Sequence, residues 1–228
     1  MQSFSNVLQV TFSQLEQYDH PMKGNWNRDF FHNQKPIVLE LGCGKGEYTT
    51  GLAEAKPENN YIGIDIKGAR MWKGAKYATD NQLLNVGFLR THIEMVDRFF
   101  ALGEVSEIWL TFPDPQMKKV RKRLTSTRFI ELYRKFLKPG GIVHLKTDSR
   151  FQFLYTREMV LANGFHVVEE LDDVYGNGST DSILSIKTFY EKQWLARGIT
   201  IKYISFIPHQ NELIEPEVDI EEDTYRSF

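Results

Sequence analysis

The spacing of apolar positions changes character at Pro36. Before it, thirty-five mostly polar and aromatic residues are interrupted by Pro21, Gly24 and Trp26, and no long period develops. That stretch is expected to be an N-terminal extension packed on the domain or over its site. After Pro36, short apolar runs bounded by glycine and proline alternate with stretches of helical spacing. Ile37 to Leu41, Tyr61 to Asp65, Val86 to Leu89, Glu107 to Thr111 and Ile142 to Leu145 read as strands, with Phe165 to Glu170 and Ile199 to Ile207 as two more. Helices are predicted from the turn 42–46 to about Ala55, over Lys67 to Asn81, around Glu94 to Leu102, from Ser126 or Thr127 to Leu137, and over Arg150 to Ala162. Lys138-Pro139-Gly140-Gly141 stops the fourth of these. Strand and helix alternating in this way predict an α/β fold, a mostly parallel sheet with helices on both faces. Ligands in such sheets sit beyond the carboxyl ends of the strands, so the residues to inspect follow Leu39, Ile64, Leu89, Leu110 and Leu145.

A length of 228 residues suits one such domain. No apolar run approaches the roughly 20 residues of a membrane span. Met1 to Val10 lacks the basic start and apolar stretch of a signal peptide. Cys43 is the only cysteine, which rules out an intramolecular disulfide and points to a reducing cytoplasm. The six histidines show no metal-ligand spacing, so no metal is expected. Charge is uneven. Glu212 to Phe228 holds seven acidic residues against one arginine, and without that tail a chain of net charge −2 becomes +4. Lys118-Lys119-Val120-Arg121-Lys122-Arg123 sets five cations in six positions, a run suited either to phosphates or simply to solvent.

Glu40-Leu41-Gly42-Cys43-Gly44-Lys45-Gly46 follows the first strand and opens a helix. Glycines let the backbone turn sharply and approach a ligand, though a tight strand-to-helix turn needs them too. The loop departs from the dinucleotide fingerprint, because Glu47 stands where a third glycine would be. It also carries Glu40, a carboxylate ill-suited to a pyrophosphate and well-suited to a cation. Asp65 ends the second strand twenty-one residues after Gly44, where a carboxylate accepts from ribose hydroxyls; a helix cap is the plainer alternative. Cys43 reads as a small residue in a tight loop. After the fourth strand, Thr111-Phe112-Pro113-Asp114-Pro115 clamps Asp114 between two prolines, four residues before the basic run.

At these residues the sequence resembles the bacterial tRNA (guanine-N7-)-methyltransferase family, over nearly the whole chain from about Trp26 to Phe206. The carriers are the loop Glu40 to Glu47, Phe112 to Pro115 with Lys118-Lys119, Arg123-Leu124-Thr125, Leu137 to Gly141, Lys146-Thr147-Asp148 and Thr188-Phe189-Tyr190-Glu191. The resemblance implies a Rossmann-like class I methyltransferase with a seven-stranded sheet and an antiparallel last strand. Its domain spans 36–211, between an extension (1–35) and an acidic tail (212–228). It implies S-adenosylmethionine as cofactor, held by Glu40, Gly42, Gly44, Gly46, Asp65 and Asp114. His92, or else Glu94, lies on the adenine side, where the family usually has Asp or Asn. The implied partner is tRNA, contacted by Lys118, Asp148, Thr188, Phe189, Tyr190 and Glu191. The implied product is N7-methylguanine at position 46 in the variable loop, with Asp114 catalytic and the enzyme a monomer or homodimer. Gln116 is a second departure, standing where the family often has Trp. Rival readings are a methyltransferase for another substrate, a nicotinamide-dependent dehydrogenase and a non-catalytic RNA-binding domain.

Overall fold

Alternation along a single strand divides the molecule into two cores. In β2 (Ile37–Leu41), Ile37, Leu39 and Leu41 face one of them and Val38 faces the other. Successive strand side chains point to opposite faces, and both faces of this sheet are covered. A computed structural model describes residues 4–10, 18–176 and 182–226; the rest of the extension and the last two residues of the tail lie outside it.

The elements follow the predicted order. After β1 (Val7–Gln9) and β2 come α1 (Glu47–Ala55), β3 (Asn60–Asp65), α2 (Gly68–Asp80), β4 (Val86–Arg90) and β5 (Val105–Thr111). Then come α3 (Thr127–Arg134), β6 (Leu137–Thr147), α4 (Arg150–Ala162), β7 (His166–Leu171), α5 (Phe189–Ala196) and β8 (Lys202–Ile207). The sheet order is β1-β4-β3-β2-β5-β6-β8-β7, and β8 runs antiparallel to both of its neighbours. Tyr48, Leu52, Met71 and Ala75 from α1 and α2 cover one face; Phe129, Ile130, Phe153 and Met159 from α3 and α4 cover the other. From β2 the chain builds outward one way through β3 and β4, then returns to start again at β5. That reversal opens a crevice at the carboxyl ends of β2 and β5, beside the glycine loop.

The fourth predicted helix ends at Arg134 rather than Leu137, and Lys138 to Gly141 lie within β6, which starts at Leu137; three further details differ from the prediction. The sheet has eight strands, because Val7–Gln9 of the extension pairs in parallel with β4. Glu94 to Leu102 is not a regular helix but a 3₁₀ stretch over Ile93–Arg98. Phe99 and Phe100, just beyond that stretch, are both fully buried in one core. α5 was not predicted at all. Among the described residues no helix is long and apolar enough to cross a membrane.

Candidate active site

The glycine loop is turned toward open space. Gly42 and Gly44 have φ of 81° and 55°, and nothing lies within 4 Å of where a Cβ would sit. Gly46 serves packing: a Cβ there would meet the Phe88 ring at 2.6 Å. Gly42 N and Cys43 N both donate to the Ile64 carbonyl, at 2.8 and 3.0 Å. Asp65 completes the tie. Its Oδ2 accepts from Gly44 N at 2.9 Å and its Oδ1 from Lys67 N at 2.7 Å. Asp65 is not the cap of α2, whose N-cap is Lys67 and has no side-chain cap, and each of its carboxylate oxygens keeps a lone pair after one amide contact. Cys43 is buried, and burial pushes its thiol well above the ordinary range, as expected for a space-filling residue.

Glu40 lies beneath this loop and is 2% exposed. Thr111 Oγ1 donates to one carboxylate oxygen at 2.5 Å, and the Thr49 hydroxyl donates to the other. Burial raises its pKa from the ordinary 4.5 to about 7, against the lowering effect of the two threonines. No salt bridge to it forms among the described residues. A buried carboxylate with hydroxyl partners and no cation is poised for a positive ligand.

Two adjoining clefts open here. One, of about 110 Å³, is lined by Glu40, Gly44, Asp65, Thr111, Thr188 and Tyr190 among others. The second, of about 260 Å³, shares Gly42 and Asp65 with it and adds Thr91, His92, Glu94 and Gln116. His92 and Glu94 thus both line the cleft after the third predicted strand. Asp114 lines neither cleft; Phe112, two residues before it, lines the first, and Gln116, two residues after, lines the second. Phe112 and Gln116 are left-handed non-glycine residues, with φ of 50° and 47°. Pro113 and Pro115 are buried while Asp114 is exposed, and Asp114 Oδ1 accepts from Gln116 N at 2.9 Å. Two strained residues around one exposed carboxylate are a local cost that a plain turn does not need.

The basic run needs a correction. Lys118, Lys119, Arg121 and Lys122 are exposed, but Arg123 is 4% exposed. Its guanidinium donates to the carbonyls of Gln116 and Met117, at 3.2 and 2.7 Å, and stacks over Tyr155 at 4.3 Å. Four cations, not five, face solvent, and the fifth fastens the Asp114 loop.

Thr188 to Glu191 form the first turn of α5. Thr188 Oγ1 accepts from Glu191 N at 3.2 Å, and Glu191 accepts from Thr188 N at 3.3 Å, a complete capping box. Phe189 N donates to Glu47 at 2.7 Å, which seats this turn against the glycine loop. Phe189 and Tyr190 are exposed, with Lys45 Nζ 3.3 Å from the Phe189 ring centroid. Glu191 itself is fully buried, paired with Lys146 at 2.7 Å and accepting from Tyr175 Oη at 2.6 Å. Asp148 is 1% exposed. Glu40, Gly42, Gly44, Asp65 and His92 thus gather around the two clefts, with Thr188 and Tyr190 among them, whereas Gly46 and Asp114 line neither. Lys118 lies on the exposed loop, while Glu191 and Asp148 lie below the surface. Sequence reasoning missed Thr49 and Thr111 as partners of Glu40, and Tyr175 and Lys146 as supports of Glu191. Only the capping-box spacing Thr188-x-x-Glu191 signalled any of this. Among the described residues no group of three or more His, Cys, Asp or Glu is placed to hold a metal ion.

A family described as "Putative methyltransferase" matches residues 34–204. A tRNA (guanine-N(7)-)-methyltransferase of Porphyromonas gingivalis is 58% identical over 233 residues, covering 100% of this chain and 96% of that protein. The protein of that name from Bacteroides fragilis is 56% identical over 229 residues, covering 100% and 91%. Among solved structures, a 30S ribosomal A1408 methyltransferase from an uncultured bacterium superposes with a TM-score of 0.60 at 16% identity, over 81% of this chain and 93% of its own.

Proposed function

Since the chain belongs to the tRNA (guanine-N(7)-)-methyltransferase family, we propose that it methylates guanine N7 at position 46, in the variable loop of tRNA. S-Adenosylmethionine is the cofactor and supplies, when bound, a methyl group on a positively charged sulfur. The residues suit it. Asp65 has acceptor capacity left for ribose hydroxyls, Gly42 and Gly44 leave room for close approach, and His92 or Glu94 stands on the adenine side. The observation that carries the reading is Glu40: a buried carboxylate with no cationic partner among the described residues, beside a loop in which Gly42 and Gly44 face open space. The loop also lacks the third glycine of the dinucleotide fingerprint, Glu47 standing in its place.

Guanine N7 offers an in-plane lone pair, so no proton is removed before attack. With the cofactor held by Glu40, Asp65 and the glycine loop, its methyl carbon would pass to N7, the sulfur keeping the electron pair of the broken bond and the purine taking the positive charge. The protein's task is alignment and electrostatics rather than proton transfer. Asp114 stabilises the arriving charge or accepts from the base's N–H groups. Phe189 and Tyr190 offer exposed ring faces to the base, Lys118 and its neighbours hold phosphates, and Thr188 shapes the cleft. Asp148 and Glu191 act from below, Glu191 by fixing the turn that presents Thr188 to Tyr190. The test is incubation with methyl-labelled cofactor and total tRNA, followed by cleavage at N7-methylguanine. Cleavage at position 46 is expected; label on another base or position overturns the reading.

A further inference from the structure

The acidic tail is partly a structural part of the acceptor side. Asp223 is 6% exposed although its neighbours Glu221 and Glu222 are exposed. Its carboxylate accepts from the Ser149 hydroxyl and from Phe151 N at 3.1 Å, in the first turn of α4. Ser149 in turn caps that helix, its oxygen accepting from Gln152 N at 2.9 Å. Asp223 N donates to Met117 Sδ at 3.2 Å, in the loop that carries Asp114 and Lys118. Two residues on, Tyr225 Oη donates to the Asp148 carbonyl at 2.7 Å, and its ring meets Trp194 of α5 edge-on at 5.8 Å. Earlier in the tail, Glu215 accepts from Thr127 N at 3.1 Å and Thr127 Oγ1 at 2.6 Å, at the start of α3. It also accepts from the Tyr155 hydroxyl, and the Tyr155 ring carries the guanidinium that holds Gln116 and Met117.

Carboxylates are favoured at helix N-termini, where N–H groups lack partners, so these contacts are stabilising in themselves. Their distribution is the informative part. They reach the Asp114 loop, the β6–α4 turn at Asp148 and the helix α5 that begins at Thr188. Those are the three acceptor-side segments, which come from distant parts of the chain. The named contacts bypass the glycine loop, Glu40 and Asp65.

We propose that Glu215, Asp223 and Tyr225 form a clasp that sets the three acceptor-side segments relative to the cofactor loop, and so governs tRNA turnover without taking part in cofactor binding. They are positioning residues, and the proposal rests on the tRNA reading above. The test uses the full chain with Asp223→Ala, Asp223→Asn and Tyr225→Phe. Melting temperature, S-adenosylmethionine affinity, and kcat and KM on tRNA are measured for each. Asp223→Ala lowers kcat/KM for tRNA by about tenfold, because two donors lose their acceptor. Asp223→Asn, which keeps one acceptor oxygen, recovers part of that loss. Tyr225→Phe keeps the ring against Trp194 and acts in the same direction, so it decides the matter should Asp223→Ala not fold. Cofactor affinity changes by no more than about twofold, because the named contacts of Asp223 and Tyr225 go to Ser149, Phe151, Met117, Asp148 and Trp194, none of which lines either cleft. Unchanged tRNA kinetics in folded variants, or a parallel loss of cofactor affinity, would overturn the clasp. A wild-type enzyme that leaves guanine N7 unmethylated sinks the tRNA reading itself, and that result is seen before any variant is made.

Discussion

On the cofactor reading proposed above, Glu40 keeps binding capacity at a cost in stability. Its pKa is about 7 in the folded chain against 4.5 ordinarily, so between those values the folded state holds a proton that the unfolded state has released. Stability therefore falls as pH rises through that window, by about 3 kcal/mol in total, and is flat above it. Glu40→Gln removes the slope, and its melting temperature exceeds that of wild type at pH 8; a variant that keeps the wild-type slope would place the titration elsewhere. Cofactor affinity runs the other way. A cationic ligand selects the carboxylate, so wild-type affinity for S-adenosylmethionine tightens as pH rises through about 7, and Glu40→Gln binds weakly at every pH. Calorimetry at pH 6 and pH 8 measures both effects. Asp114 presents a different case, an exposed carboxylate on a strained loop. Asp114→Asn is expected to lower kcat on tRNA by on the order of a hundredfold, as for loss of one preorganised electrostatic group. Full turnover would exclude an essential charge at that position.

At the scale of elements, strands and helices whose periods stand alone were legible, and those made by distant partners were not. β2, β3 and β5 are apolar runs bounded by turn residues, and the glycine loop follows β2 at the carboxyl end of the sheet. Asp65 could be placed because its distance from that loop follows from one strand–helix–strand unit. β1 is three residues long, and its pairing with β4 is remote in sequence, so its own pattern says nothing. α5 is eight residues with a weak apolar stripe; what announces it is its cap. The same cap explains why Glu191 is buried. Its carboxylate serves helix start, Tyr175 and Lys146 together. Breaking one side of a buried pair leaves an uncompensated charge, so Lys146→Met is expected to destabilise the fold by about 3 kcal/mol, read by denaturant unfolding. Adding Glu191→Gln to Lys146→Met should recover part of that loss, because the orphaned charge is removed. A double variant no more stable than Lys146→Met alone would show that the capping contact, not the charge pair, is what α5 needs.

At the scale of the whole molecule, the near-neutral net charge conceals two opposed surfaces. Lys118, Lys119, Arg121 and Lys122 are exposed next to the Asp114 loop. The tail divides its seven carboxylates: Glu215 and Asp223 serve the helix N-termini, while Glu212, Glu217, Asp219, Glu221 and Glu222 are exposed. Asp223 also bonds to Met117, which ties the acidic segment to the basic loop in space. Charges separated by less than the Debye length of about 8 Å still interact at physiological ionic strength. A polyanion nearing the lysines is therefore expected to meet Glu221 and Glu222, which precede Asp223 in the chain, and only one that gains the site's own contacts offsets that repulsion. Replacing Glu212, Glu217, Asp219, Glu221 and Glu222 by their amides, with Glu215 and Asp223 kept, separates this field from the clasp. The variant should bind an RNA without a methylatable guanine more tightly at low salt, with the gain vanishing as salt rises, because the effect is electrostatic. Its kcat on tRNA should match wild type, since no clasp contact is touched. Replacing Lys118 and Lys119 by alanine should lower the slope of log affinity against log salt by about two. Equal binding of the non-substrate RNA by wild type and the amide variant at low salt would mean that the outward acids exert no such selection, and the basic loop would then act alone.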